Sequence, residues 1–335
     1  MKEKETEKTK ASDTEITEQE TEEKSEPESV DKNKRKKIIK TAGNIIAALA
    51  VIVVAIFFIS DNRDILKGLE GTLGKNEKTG NTGFSVHFID VGQGDCTLVA
   101  CNDEYMLIDA GEAAYGETVV NYLNSIGVDK LDYVVATHPH SDHIGGMAKV
   151  LENFETEILI ETPMNASQLP DNSLYADFCE AVADNGCDID EAYSGMTFSV
   201  GKAKVEILGP VTDDVDDLND MSIVMTVTYG TNVFLLTADA EEGEELTLVE
   251  EDLIPDCDLL KVGHHGSSGS SCEEFLKSAK PEICVIEVGK QNDYGHPSDK
   301  TLERISAYTK TVYRTDFCGN IIAESDGKNI SISYD

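Results

Sequence analysis

Residues 137–146 read Thr-His-Pro-His-Ser-Asp-His-Ile-Gly-Gly, directly after the strand-like run Asp132-Tyr133-Val134-Val135-Ala136. Alternate side chains of an extended segment share a face, so His138 and His140 can reach one metal ion. Pro139 favours extended geometry at His138. The chain then turns toward Gly145 and Gly146, which places Asp142 and His143 beside a second ion. Mixed imidazole and carboxylate donors suit Zn²⁺, and also Mn²⁺ or Fe²⁺. A polar surface loop that merely happens to be His-rich is the alternative. The density of donors straight after a buried strand argues against it.

Outward from that run, strands come first and helices follow. FSVHFID (84–90) and TLVAC (97–101) have strand length and patterning, and the turn-like VGQGD (91–95) joins them. YMLIDAG (105–111) is a third strand ending on Asp109. In ETVVNYLNSIG (117–127), Val119, Val120, Leu123 and Ile126 recur at helical spacing, with Gly127 as the C-cap. GGMAKVLENF after the histidines reads as a helix. The second half offers strands at 204–209, 222–229, 232–238, 258–262 and 283–288, with helices near 241–251, 272–278 and 299–307. This order, repeated twice, predicts an α+β fold: a four-layer αββα sandwich of two facing sheets with helices outside.

The 335 residues carry 28 Lys+Arg against 64 Asp+Glu, a net charge of -36, with 40% hydrophobic residues. That apolar fraction excludes a collagen-like or wholly disordered chain. Residues 1–40 hold 12 acidic and 11 basic side chains, so the remaining 52 acids and 17 bases leave residues 41–335 at -35. Affinity for a phosphate backbone rests on Lys and Arg, so no strong bulk attraction to nucleic acid is expected. A basic DNA-binding module is excluded. An enzyme that meets phosphates through bound metal is not.

Residues 1–37 are dominated by Glu, Lys, Thr, Ser and Asp, form no apolar face, and read as a disordered tail. The basic cluster Lys34, Arg35, Lys36, Lys37 and Lys40 precedes 18 uncharged residues, Ala42–Ile59. As a helix those span roughly 27 Å at about 1.5 Å per residue, enough for a hydrocarbon core. Residues 38–60 are therefore expected to be a transmembrane helix. No small-x-small cleavage site follows it, which argues against a signal peptide. The flanking charges put the N-terminus in the cytoplasm and everything after residue 60 outside the cell. Residues 61–83, rich in Gly, Lys, Asn and Thr, form a linker, and the globular domain is 84–335. Eight cysteines, all after residue 95, fit an oxidising exterior, and free buried thiols fit equally well.

VHFIDVGQGD (86–95), LIDAG (107–111), THPHSDHIGG (137–146), LLTAD (235–239), LLKVGHHGSSGSS (259–271) and YGHP (294–297) resemble the metallo-β-lactamase superfamily. Its hallmark is H-x-H-x-D-H at a strand end. One branch is more similar: the metal-hydrolase domain of the DNA-uptake competence channel protein ComEC and its stand-alone relatives. Their multi-pass channel region has no counterpart here, so a part in DNA uptake is not implied.

The resemblance implies that His138, His140, Asp142, His143 and Asp239 hold two divalent cations, with Asp239 between them. Asp239 could otherwise cap the helix that EEGEEL begins. A further ligand comes from His264 or His265; spacing leaves both open, one binding metal and the other touching substrate or a supporting carboxylate. Asp109 is implied to steady the histidine loop from behind. Asp90 and Asp95 are offered similar work, although tight turns alone explain Gly92 and Gly94. Residues 144–263 contain no His, and Asn219 and Ser222 stand where many members place another ligand. Asp142 and His296 are assigned catalytic parts, His296 facing substrate or protonating the leaving group. His87, within an apolar strand, reads as a sheet residue.

Two cations about 3.5–4 Å apart acidify a shared water and stabilise entering and leaving oxygens, from which phosphodiesters gain most. The sequence thus predicts a membrane-anchored extracellular hydrolase, a phosphodiesterase or nuclease-like enzyme using a metal-activated hydroxide. Zinc is the first expectation and manganese the second. The alternatives are another ester or amide (a cell-wall phosphocholine ester, a lactone, a β-lactam) and a non-catalytic, metal-stabilised binding domain.

Overall fold

The computed structural model describes residues 83–211 and 217–335. The expected tail, transmembrane helix and nearly all of the linker lie outside the described residues. Among the described residues, no helix is long and apolar enough to cross a membrane.

The first half supplies β1 (Phe84–Phe88), β2 (Thr97–Cys101), β3 (Glu104–Ile108), β4 (Lys130–Ala136), β5 (Glu155–Glu161) and β6 (Asp188–Glu191). Between them lie helices α1 (Gly116–Ser125), α2 (Ser141–Ile144), α3 (Met147–Asn153) and α4 (Ser173–Asn185). The second half supplies β7 (Thr197–Val200), β8 (Ala203–Gly209), β9 (Val224–Tyr229), β10 (Asn232–Leu236), β11 (Leu259–Lys261), β12 (Ile283–Ile286) and β13 (Thr311–Arg314). Its helices are α5 (Glu242–Glu250), α6 (Glu273–Ala279) and α7 (Asp299–Ser306). Finally β14 (Ile321–Ser325) and β15 (Ile330–Tyr334) return to the first sheet beside β1.

One sheet runs β15-β14-β1-β2-β3-β4-β5-β6 and the other β13-β12-β11-β10-β9-β8-β7. Side-chain alternation along the strands sorts the apolar residues into three layers. On β2, Leu98 and Ala100 meet Val119 and Leu123 of α1, while Val99 and Cys101 face Val205, Met225 and Phe234 of the opposite sheet. Beyond the second sheet, Leu235 and Leu260 pack on Phe275 and Leu276 of α6. The layers are therefore helix, sheet, sheet, helix. Phe84 lies 4.8 Å from Tyr229 and 5.1 Å from Phe234, ring centre to ring centre, and joins the two sheets.

Two strands are shorter than their apolar runs predict. β9 starts at Val224 rather than 222, because Leu218–Met221 form a 3-10 turn. β10 stops at Leu236 rather than 238, because Ala238 takes a left-handed φ of 44°. Both departures release Ser222 and Asp239 from the sheet. β5, β6 and β7 carry weak patterns: β6 (DIDE) is exposed throughout. All eight cysteines are free thiols, and Cys96, Cys101, Cys257, Cys272 and Cys284 are buried.

β3 and β4 are parallel, as are β10, β11 and β12. Asp109, His138, Asp239, His265 and Glu287 each follow the C-terminal end of one of these strands. That common end carries the polar cluster.

Candidate metal centre

Asp109 leaves β3 with a left-handed φ of 57° and is fully buried. The Thr137 N–H donates to its Oδ1 at 3.0 Å and the Thr137 hydroxyl to its Oδ2 at 2.6 Å. His143 Nδ1 lies 2.8 Å from the same Oδ2. One carboxylate thus holds both ends of the histidine loop and turns His143 Nε2 outward. His138 Nε2 and His140 Nδ1 lie 3.0 Å apart. The other nitrogen of His138 meets the hydroxyls of Thr137 at 3.2 Å and Ser222 at 3.3 Å. Ser222 also accepts the Asp239 N–H at 3.1 Å, so it joins the two halves of the domain at the site.

Asp239 Oδ2 lies 3.2 Å from His143 Nε2, 3.5 Å from His264 Nε2 and 3.6 Å from His265 Nε2. Helix α5 is capped at Glu241, not at Asp239. One donor atom from each of Asp142, His143, Asp239 and His265 lies within 4.8 Å of the others. Asp239 Oδ1 is buried with no hydrogen-bond partner. A buried polar atom left this way is costly unless something else binds it. The donor set therefore fits a divalent cation, with His138 and His140 able to hold a second beside it.

His264 and His265 do not alternate as a strand end requires. Both take left-handed φ, 47° and 52°, in the turn after β11. His265 is buried, its Nδ1 2.9 Å from the Glu287 carbonyl and 3.2 Å from Asp95 Oδ1, and its Nε2 lies 3.3 Å from Asp142 Oδ2. His264 turns to Glu241, Nδ1 to Oε1 at 2.7 Å, and lines the open cleft.

Burial works against charge on His143 and His265, but Asp239 holds both above the usual imidazole range, with Asp109 adding to the first and Asp95 to the second. His265 reaches about 10. Asp239 is held well below the carboxylate range despite its burial, because His143 and His265 favour its anion. Burial and His143 push His138 well down, leaving a neutral imidazole with a lone pair to donate.

Two buried groups behind the donors, Lys261 and Glu287, were not assigned parts from the sequence. Lys261 Nζ pairs with Asp95 Oδ2 at 2.5 Å and donates to the Ala238 carbonyl at 3.2 Å. Glu287 accepts the Cys96 N–H at 3.0 Å and the Thr97 hydroxyl at 2.9 Å, and burial with the nearby Asp95 pushes it up to about 8. The lone Lys closing the apolar run Leu259-Leu260-Lys261 was the available signal. Of the two acids flanking VGQGD, Asp95 supports the site and Asp90 does not: Asp90 accepts the Gly92 N–H at 3.0 Å and only closes its own turn. Asp220 likewise serves α5, accepting the Glu241 and Glu244 N–H groups. Asn219 lines the cleft, and its buried Oδ1 lacks a hydrogen-bond partner.

The cleft above the cluster has a volume of about 300 Å³, and Gln93, His140, Asn219, His264, Tyr294 and His296 are among its walls. His296 Nδ1 is buried without a partner, and burial with His264 nearby lowers its pKa. A larger groove of about 900 Å³, lined by residues of α3 and α4, contains none of these groups.

Residues 89–163, which include the whole histidine loop, match the family model described as metallo-beta-lactamase superfamily. This is a metallo-β-lactamase domain. The superfamily consists typically of metal-dependent hydrolases that bind divalent ions. This metallo-β-lactamase chain is 31% identical over 257 residues to ComE operon protein 3 of Bacillus subtilis, covering 70% of this chain and 32% of that protein. It is 30% identical to Recombination protein 2 of Haemophilus influenzae (71% and 28% covered) and 31% identical to Competence protein ComA of Neisseria gonorrhoeae (69% and 30%). The chain thus spans about a third of the length of these relatives. Among solved structures, YhfI from Bacillus subtilis aligns with a TM-score of 0.50 at 15% identity, covering 72% of this chain and 100% of that one. CmlA from Streptomyces venezuelae, a diiron β-hydroxylase, aligns at 0.50 and 13% identity (72% and 54%). Such similarities establish the fold, which hosts more than one reaction.

Proposed function

We propose that the domain is a metal-dependent hydrolase of phosphodiesters, held outside the cell by residues 38–60. The observation that supports it is the convergence of Asp142, His143, Asp239 and His265 at the floor of an open cleft, with the buried Asp239 Oδ1 lacking a hydrogen-bond partner. His138 and His140 would hold one cation, Asp142, His143 and His265 the other, and Asp239 would lie between. Two divalent ions there would supply an acidified water and positive charge for the entering and leaving oxygens.

The chain's own groups complete the chemistry. Asp142 stays ionised, since His265 and His143 outweigh its partial burial, and can accept a hydrogen bond from attacking water. The environments of two cleft histidines push their pKa values apart, which separates their roles. His264 is raised above the ordinary imidazole value by the Glu241 hydrogen bond against its burial, which suits a proton donor toward a phosphate or leaving oxygen. His296 is lowered and stays neutral, which suits a hydrogen-bond donor to substrate better than an acid. Relatives named for competence and recombination favour nucleic acid as the source of the diester.

The full-length chain, stripped of metal and resupplied with Zn²⁺ or Mn²⁺, should hydrolyse bis(p-nitrophenyl) phosphate. A metal-loaded chain inert to diesters but active on a β-lactam or a lactone would replace this reading. Cleavage of the domain by protease added to intact cells tests its outside location; full protection would refute it.

A further inference from the structure

Resting on the phosphodiesterase reading, we propose that Tyr294, stacked on His296, is a platform for a nucleobase adjoining the scissile ester, at a single-stranded end. Tyr294 is 72% exposed yet lines the cleft, so no core packing explains a large aromatic there. Its ring lies 5.8 Å from that of His296 and within 15° of parallel. His296 lies 5.6 Å from His264, whose Nε2 approaches Asp239. The rings therefore step outward from the donor cluster to the cleft mouth, leaving the outer face of Tyr294 open.

The loop is built to hold that ring in place. Asn292 Nδ2 donates to the Gly289 carbonyl at 3.0 Å and to the His296 carbonyl at 2.7 Å, and its Oδ1 accepts the His296 N–H at 2.9 Å. The Gly289 N–H donates to Gln93 Oε1 at 3.1 Å, and the Ser298 N–H to the Gly266 carbonyl at 2.8 Å. One end of the loop is thus tied to the cleft wall and the other to the turn that carries His264 and His265, and a ring fixed in advance loses little entropy on binding.

Stacking also suits the charge. No Lys or Arg is among the residues lining the cleft, and residues 41–335 carry -35, so backbone phosphates gain nothing from surface cations. Base–aromatic stacking needs no such cations and is worth about 1–3 kcal/mol per base, roughly 5–150-fold in affinity. A choline group would instead call for a cage of several aromatic rings. Apart from its histidines, the only aromatic ring lining the cleft among the described residues is Tyr294.

Three diesters with one leaving group provide the test: thymidine 5′-(p-nitrophenyl phosphate), ethyl p-nitrophenyl phosphate and p-nitrophenylphosphorylcholine. In the metal-loaded full chain, Tyr294→Ala should lower the ratio of kcat/KM for the thymidine ester over the ethyl ester by roughly 5–150-fold, mainly through KM, and Tyr294→Phe should keep it. An unchanged ratio, or a loss confined to the phosphorylcholine ester, overturns the platform. Absence of all diester cleavage by the parent chain refutes the hydrolase reading instead. Binding of a fluorescent oligothymidine then decides the platform separately: weaker binding in Tyr294→Ala supports it, and equal binding overturns it.

Discussion

The backbone N–H of Asp95 donates to the carbonyl oxygen of Asp142 at 3.1 Å, tying the turn after β1 to the histidine loop after β4. The same Asp95 carboxylate faces His265 and Lys261, so one residue positions donors from both halves of the domain. Its neighbour Gly94 has φ +142°, and a Cβ there would run into the Asp142 carbonyl oxygen.

Gly94→Ala should therefore displace Asp142 and weaken metal binding by about 10–100-fold, the usual effect of disturbing the support behind a ligand. Gly127→Ala is the control, since its φ is also positive (+83°) but nothing lies within 4 Å of the new Cβ. Metal titration against a chromogenic chelator reads both. Equal affinities in the two variants would show that the Gly94 contact does not matter.

Asp109 grips Thr137 and His143 without facing the cleft. Asp109→Ala should cost about 10–100-fold in metal affinity. Asp109→Asn, which keeps one acceptor, should lose less. Wild-type affinity in the Ala variant would refute this supporting part.

Thermal stability of the metal-free protein should fall as pH rises from about 7 to about 9. His143 and His265 are held above the unfolded value of 6.5, and His265 reaches about 10. Such groups stabilise fully below the unfolded value and lose that contribution as pH climbs through the folded one. Burial raises Glu287 to about 8, and a carboxyl kept protonated by the fold adds the same slope at the start of this window. The lowered histidines, His87, His138 and His296, act below this window. Differential scanning calorimetry with and without Zn²⁺ reads the effect, and metal should flatten the decline because it replaces those protons. A Tm rising across the window would contradict it.

Phe234→Ala, emptying a fully buried position between the sheets, should cost about 3–5 kcal/mol in urea unfolding. Metal stoichiometry should not change, because Phe234 lies in the apolar layer rather than among the donors. A loss of metal at constant stability would argue that core and site are coupled.

Much of this was legible in the sequence because the informative signals are local. Val119, Val120 and Leu123 sit on one helix face, and the H-x-H-x-D-H spacing places donors by backbone geometry alone. What sequence could not decide depends on contacts between distant segments. Lys261 reads as the polar end of a strand until Asp95 is found against it. His264 and His265 are separated by left-handed backbone, which breaks the alternation a strand end implies. Asp90 and Asp95 both flank a glycine turn, and only the fold shows which faces a histidine. β6 lacks an apolar pattern because all four of its residues face solvent.

The central claim, that these donors share a pair of cations, is met most directly by elemental analysis of the purified full-length chain beside His138→Ala and Asp239→Ala. About two divalent ions per parent chain are expected. Fewer are expected in each variant, with circular dichroism unchanged. A parent chain that takes up no divalent metal, or variants that retain all of it, would contradict the claim.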